Sequence, residues 1–277
     1  MKIKKWKKFA LTILNKIDNS ILDIEVLLSN VLNKPRSWIL CYEDYYLNIK
    51  EIKILNKLLI RRFYNEPLAY LIKKKEFWSL NFFVSNKTMI PRPDSEILVE
   101  QSLMKIQDNT YKILDLGTGC GNIAISIAYS KLNCYVTGID LFPEVINIAQ
   151  YNANTLNLKN INFFCSNWFT SILNQKYHII VSNPPYLSYK EFLSLQKNLK
   201  FEPITALISK NNGFSDIIKI IKYAQNYLFN RGWLLIEHGW KQKNMIQKFF
   251  KRYHYINVQT YKDYNGRNRI TSGQKYY

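Results

Sequence analysis

At 277 residues with 47% hydrophobic side chains, the chain has room for one large domain or an ordinary domain plus a small one, and its composition argues against global disorder. The 39 basic and 20 acidic residues give a formal charge of +19, which has two readings: attraction to nucleic acid or a ribonucleoprotein, or compositional drift. Lysines are spread along the chain, apart from "KIKKWKK" and Lys73 to Lys75, so drift is favoured; four scattered cysteines without a C-x-x-C pair, and three histidines, argue against a zinc site or a disulfide framework and suit a reducing cytoplasm.

The first residues, "MKIKKWKKFALTILNKIDNS", have the basic front of a signal peptide. Their apolar run stops early at Asn15, Lys16 and Asp18, so an amphipathic helix is expected instead. No apolar run approaches a membrane span, and no membrane partner is expected. Up to about Tyr64 the apolar residues recur at helical spacing. "SILDIEVLLSNVLN" offers Ser20 as an N-cap, and "IKEIKILNKLLIRRFYN" sets Ile49, Ile52, Leu55, Leu58, Leu59 and Phe63 largely on one face. A small helical bundle follows from this pattern. "EPLAYLIKKKEFWSLNFFVS" then predicts a β-hairpin turning near Ser79–Asn81. In "MIPRPDSEILVEQSL", Pro91 and Pro93 precede a helix whose first turn carries Asp94 and Glu96.

From Lys112 the rhythm changes to strand, helix, strand. "KILDLG", "YVTGID", "INFFCS", "YHIIVSN" and "GWLLIEHG" are the candidate strands, separated mostly by helical segments, and this alternation predicts a parallel sheet covered by helices. "INVQTYKD" and "RITSGQKYY" read as two further strands around the turn "YNGRN". Glu237 and His238 in "IEHGW" are neighbours in a strand and face opposite sides, so an acid–base dyad is not expected there.

"ILDLGTGCGNIAISIA" is a strand, a glycine-rich loop and a helix, and Asp140 ends the next strand, where a carboxylate can accept from both hydroxyls of a ribose. The D-x-G-x-G-x-G spacing suits S-adenosylmethionine, while "GCGNIA" also satisfies a dinucleotide fingerprint, so this loop alone leaves the cofactor open. Cys120 reads as a small loop residue rather than a nucleophile.

The decision comes from "VSNPPYLSY". A buried strand ends on Asn183, Pro184, Pro185 and Tyr186, where a plain turn would use Gly, Asp or Ser. Asn183 offers a side-chain carbonyl that cannot ionise, and Pro184 a backbone carbonyl on a rigid frame. Two fixed acceptors can hold both hydrogens of a planar amino group, and Tyr186 can stack on the group that carries it. Such nitrogens are poor nucleophiles, and orienting one toward an activated methyl group is the main service a site can render. Hydride transfer needs no such arrangement.

"NPPY" with "DLGTGCG" upstream resembles the class I methyltransferases of planar amines. "EFWSL", "IPRPDSE", "NPPY", "FEPITAL" and "DYNGRNR" occur in the order found in HemK-type (PrmC-like) release factor N5-glutamine methyltransferases, and the resemblance spans nearly the whole chain. It implies an α/β class I Rossmann-like fold with a seven-stranded, mostly parallel sheet, preceded by a small all-α N-terminal domain. The implied organisation is a helical substrate-docking domain (1–75), a β-hairpin linker (76–90) and a methyltransferase domain (91–277). Gly117, Thr118, Gly119, Cys120 and Gly121 would wrap the methionine part of S-adenosylmethionine, Asp140 its ribose, and Trp168 would lie near the adenine. Asn183, Pro184, Pro185 and Tyr186 would receive the substrate glutamine, with Asn183 also bordering the cofactor. The implied substrate is the Gly-Gly-Gln glutamine of peptide chain release factors, modified in the cytoplasm by a monomer without metal or direct nucleic-acid contact. The rivals are a glutamine methyltransferase of a large-subunit ribosomal protein and a nucleic-acid adenine or guanine N-methyltransferase. Three positions depart from the family pattern: Asn167 for Asp, Asn65 for the Gly of a "GEP" motif, and Cys120 in the loop. Arg92 has two readings, substrate contact or clamp of the proline turn.

Overall fold

The computed structural model describes residues 1–107, 110–195 and 197–277. The chain forms two compact units, the smaller holding Met1–Lys74 with the 3-10 turn Lys197–Phe201, the larger Lys75–Leu195 and Glu202–Tyr277.

The smaller unit contains α1 (Ile3–Ile13), α2 (Ser20–Leu32), α3 (Arg36–Cys41), α4 (Ile49–Phe63) and α5 (Leu68–Ile72). Ile3, Trp6 and Ala10 of α1, with Leu14 just after it, pack with Ile24, Leu27, Leu28, Leu55 and Leu59 into one core. Each such fully buried aliphatic side chain contributes about 1.5–3 kcal/mol. α4 starts on a reciprocal cap, Asn48 Oδ1 accepting from Glu51 N at 2.9 Å and Glu51 Oε2 from Asn48 N at 2.8 Å. Its buried stripe is narrower than the periodicity suggests: Leu55, Leu58 and Leu59 are buried, while Ile49 and Phe63 are exposed. Ser20 does not cap α2 but is its first residue. Asn19 precedes it in the left-handed region (φ 60°), so the chain enters the helix through a turn only a residue such as Asn adopts readily. Asn65 has φ 67°, which explains why Asn can stand there for Gly.

The hairpin of β1 (Lys74–Phe77) and β2 (Leu80–Phe83) follows, all but its first residue belonging to the larger unit. Its turn is Trp78–Ser79, one residue earlier than the sequence suggested, with φ of 53° and 57°. A two-residue loop with both φ positive normally wants Asn or Gly. Here Trp78 is held from outside the hairpin, its backbone N–H on Glu96 Oε1 (2.8 Å) and its indole N–H on Ser130 Oγ (3.0 Å).

There follow α6 (Glu96–Leu103), β3 (Lys112–Leu116), α7 (Asn122–Ser130), β4 (Tyr135–Asp140), α8 (Pro143–Thr155), β5 (Ile161–Cys165) and β6 (Tyr177–Ser182). The short α9 (Tyr189–Leu193), α10 (Ile204–Leu207) and the kinked turn α11 (Lys210–Gly213) lead to α12 (Ser215–Ala224), β7 (Leu228–Glu237), α13 (Lys243–Arg252), β8 (Tyr255–Lys262) and β9 (Asn268–Lys275). The sheet has seven strands in the order β5-β4-β3-β6-β7-β9-β8. β5 through β7 are parallel, and β9 runs antiparallel to both β7 and β8. β3 and β6 are almost wholly buried, as strands covered on both faces must be, and Ile217, Ile220, Ile246 and Phe250 of α12 and α13 pack on this core. Among the described residues no helix is long and apolar enough to cross a membrane, and no His, Cys, Asp and Glu group could hold a metal ion.

Register decides what meets at the carboxyl edge. Leu116 pairs with Ile139 on one side and Ser182 on the other, and Ser182 with Ile236. The next residues, Gly117, Asp140, Asn183 and Glu237, therefore emerge side by side. The strand order reverses between β3 and β6, and open α/β sheets bind ligands at such a point.

Candidate functional site

A cleft of about 470 Å³ opens at this edge, within the range of small-molecule sites. Gly117, Thr118, Gly119, Cys120, Asp140, Trp168, Asn183, Pro184 and Pro185 line it, so most of the residues picked from sequence border one cleft. Gly121 and Tyr186 are not part of that lining.

The glycine loop is held from behind. Gly117 N–H and Thr118 N–H both donate to the Ile139 carbonyl (2.9 and 2.8 Å), and Thr118 Oγ1 donates to Asp115 Oδ2 (2.7 Å). Asp115 is fully buried, and burial raises its carboxyl to about 7. Asp140 Oδ2 accepts from Gly119 N–H (3.0 Å) and Oδ1 from Leu141 N–H (2.8 Å), which fixes the carboxylate plane at the cleft wall. A carboxylate has about four acceptor sites, so capacity remains for a ligand's hydroxyls. Burial pushes its pKa up while those backbone donors pull it down.

The ring of Trp168 lies 3.6 Å from where a Cβ on Gly117 would stand, so it covers the loop's first glycine. Asn167 and Lys219 also border the cleft, the lysine Nζ 3.5 Å from Asn167 Oδ1. Gly121 has a different task. At φ +85° it begins α7, and a Cβ there would come within 2.8 Å of Ile125 Cδ1 and 3.2 Å of Ala149 Cβ, so it lets α7 and α8 approach. Burial lifts the Cys120 thiol to about 12, which keeps it protonated and unreactive.

At the proline corner, Asn183 Nδ2 donates to Ser95 Oγ (3.1 Å), and Ser95 Oγ donates to Glu237 Oε2 (2.5 Å). The Tyr186 hydroxyl donates to Glu237 Oε1 (3.3 Å), and burial raises both the phenol and the carboxyl. Further bonds run from the same proline turn. Arg92 pairs with the buried Glu202, which also accepts from Ile90 N–H at 3.1 Å. Asp94 pairs with Arg269 at 3.2 Å, and Arg269 also grips Asp263 at 3.0 Å. Glu96 holds Trp78. "EFWSL", "NPPY", "FEPITAL" and "DYNGRNR" thus each meet "IPRPDSE" through a side chain. Arg92 is absent from the cleft lining and bonded to Glu202, an arrangement that fits the clamp.

A family model described as "Methyltransferase domain" matches residues 107–276, and one described as "PrmC N-terminal domain" matches residues 6–72. A release factor glutamine methyltransferase of Buchnera aphidicola subsp. Acyrthosiphon pisum is 50% identical over 276 residues, covering 100% of this chain and 99% of that protein. The Escherichia coli K12 release factor glutamine methyltransferase is 39% identical over 276 residues, covering 100% of both chains. The chain belongs to the release factor glutamine methyltransferase family. The fold is shared more widely. A Pyrococcus furiosus methyltransferase superposes with a TM-score of 0.56 at 20% identity, covering 80% of this chain and 100% of that one. The hMettl16 catalytic domain, in complex with a MAT2A 3'UTR hairpin, gives 0.60 at 16% identity over 83% of each chain.

Sequence reading gave no role to Ser95, Glu202 and Arg269 within the quoted motifs, weighed Glu237 only as half of a dyad with His238, and passed over Asn152. Ser95, Glu202, Glu237 and Arg269 hold the corner, and Asn152 joins the loop to the hairpin. Its Nδ2 donates to the carbonyls of Cys120 (2.8 Å) and Phe83 (3.0 Å), and its Oδ1 accepts from Phe83 N–H (2.8 Å). A lone Asn in an amphipathic helix gives no signal of this. Its burial at 1% exposure does.

Gly213 backs the corner from the other side. A Cβ there would stand 2.1 Å from the Tyr186 carbonyl oxygen, and its φ is +86°. In this release factor glutamine methyltransferase fold, Gly213→Ala should therefore displace the Tyr186 backbone and lower the melting temperature by several degrees, the usual result of about 1–3 kcal/mol of strain. Thermal melting checks this, and an unchanged midpoint would show that the corner yields freely.

Proposed function

We propose that the chain transfers the methyl group of S-adenosylmethionine to the side-chain amide nitrogen of the Gly-Gly-Gln glutamine of peptide chain release factors. One observation carries this reading: the Asn183–Pro184–Pro185 wall and the glycine loop with Asp140 border a single cleft. The cleft fits the cofactor by its volume, by the pinned carboxylate of Asp140 and by the aromatic cover of Trp168. S-adenosylmethionine supplies, when bound, a methyl group on a sulfonium centre.

The chain's own residues prepare the acceptor. An amide nitrogen shares its lone pair with its carbonyl and is a weak nucleophile. Asn183 Oδ1 and the Pro184 carbonyl accept its two N–H bonds, which aligns the nitrogen and strengthens its electron density; as the nitrogen gains the methyl group the methyl–sulfur bond breaks and one of the two N–H protons is released to solvent. Tyr186 contributes through the shape of the corner, its hydroxyl being engaged by Glu237. Residues 1–75 are assigned the docking of the release factor, because one side chain threaded into a cleft gives little affinity by itself. The protein acts as a cytoplasmic monomer in this reading, and all four cysteines are free thiols as that compartment requires.

The charge of +19 favours one competing acceptor, nucleic acid. Tritiated S-adenosylmethionine offered with release factor, large-subunit ribosomal protein and nucleic acid in parallel separates them. Label is expected in release factor alone and is lost when the motif's Gln is replaced by Glu, which has no amide nitrogen. Stronger labelling of nucleic acid or ribosomal protein would overturn the substrate assignment.

A further inference from the structure

With Glu237 ionised, the hydrogen bonds behind Asn183 have one self-consistent direction. Glu237 is 1% exposed, and both its oxygens face donors, Ser95 Oγ and Tyr186 Oη. A carboxylate only accepts, so the Ser95 proton points at Glu237. The Ser95 oxygen then has only lone pairs left for Asn183, which must turn its NH₂ toward it. Asn183 Oδ1 is left free for the cleft, and among the described residues none donates to it. An asparagine amide could otherwise sit either way round, presenting a donor where the reaction needs an acceptor.

We propose that Glu237, acting through Ser95, is the positioning residue that keeps Asn183 in the orientation competent for methyl transfer. Its place follows from register, since Ser182 pairs with Ile236 and the following residues lie side by side. Burial raises the Glu237 pKa on balance, with the Ser95 hydrogen bond and the charge of Arg269 opposing the rise, so the relay acts where Glu237 is ionised. In Glu237→Gln the new NH₂ can donate to Ser95, whose proton then turns to Asn183 and reverses its amide. Nothing changes in volume, and the chain of hydrogen bonds runs backwards.

This inference rests on the reading of Asn183 as the substrate's acceptor, and the test separates the two. Steady-state methylation of release factor is measured for Glu237→Gln, Ser95→Ala, Asn183→Ala and the double variant Asn183→Ala with Glu237→Gln. Calorimetry gives each variant's affinity for S-adenosylmethionine. Glu237→Gln and Ser95→Ala are expected to lose on the order of 10-fold or more in kcat, with KM and cofactor affinity within about 3-fold. The double variant should be no slower than Asn183→Ala, because a residue acting only through Asn183 has nothing left to position. Wild-type kcat in Glu237→Gln, or losses that multiply in the double variant, would overturn the relay. If Glu237→Gln does not fold, Ser95→Ala decides by the same readings. An unimpaired Asn183→Ala would instead refute the acceptor role itself.

Discussion

Asn183→Ala is expected to lower kcat by on the order of 10²–10³ while leaving the affinity for S-adenosylmethionine within a few-fold. In the proposed reading the side-chain oxygen is one of two fixed acceptors for the amide to be methylated, and losing one preorganised hydrogen-bonding group of an active site typically costs this much. The loss should fall on kcat and kcat/KM together, since the contact matters most when the nitrogen is aligned for attack. Asn183→Asp makes the complementary comparison. It keeps an acceptor but places a charge beside Glu237, so it should bind the cofactor and still be slow. Wild-type turnover in Asn183→Ala, measured with release factor at saturating cofactor, would remove the corner from the chemistry.

Asp140→Ala should act on the other ligand. Each hydrogen bond to a charged acceptor is worth about 1.5–3 kcal/mol, so losing even one weakens the cofactor complex by roughly 10- to 150-fold. The carboxylate also pins Gly119 N–H and Leu141 N–H, so some of the effect will come from a looser loop. Asp140→Asn separates the two contributions, because it retains the shape and one acceptor but not the charge. pH gives a second check. Burial raises the pKa of Asp140 above the ordinary value. Acidification therefore protonates it sooner than an exposed aspartate, and cofactor affinity should fall as pH drops through that raised pKa. Asp140→Asn should lack this acidic loss. Calorimetry showing unchanged cofactor affinity in Asp140→Ala would displace the ribose assignment.

The sequence by itself determined the class of the fold and picked out most of the residues that line the candidate cleft. Seven strand-like runs, most of them separated by helical segments, can bury their apolar faces in few ways, and a glycine loop after the first with an acid ending the second marks a nucleoside site. Asn183 followed by two prolines was legible because the residue types violate what a plain turn needs. Local rules failed where a distant side chain outweighs local preference. Trp78 and Ser79 turn the hairpin in left-handed conformations because Glu96 and Ser130 hold the tryptophan, and no propensity contains that information.

Only the tertiary structure decided what stands behind the corner. Ser95, Glu202, Glu237 and Arg269 each look like ordinary polar residues in a turn or strand, and the pattern of one strand reveals burial but not the neighbour across the sheet. Pairing Ser182 with Ile236 sets Glu237 beside Asn183, and the proline turn then brings in Ser95 from far along the chain. Hydrogen bonds act over about 3 Å and depend on direction, so which groups can share a proton is fixed by register and packing rather than by order along the chain.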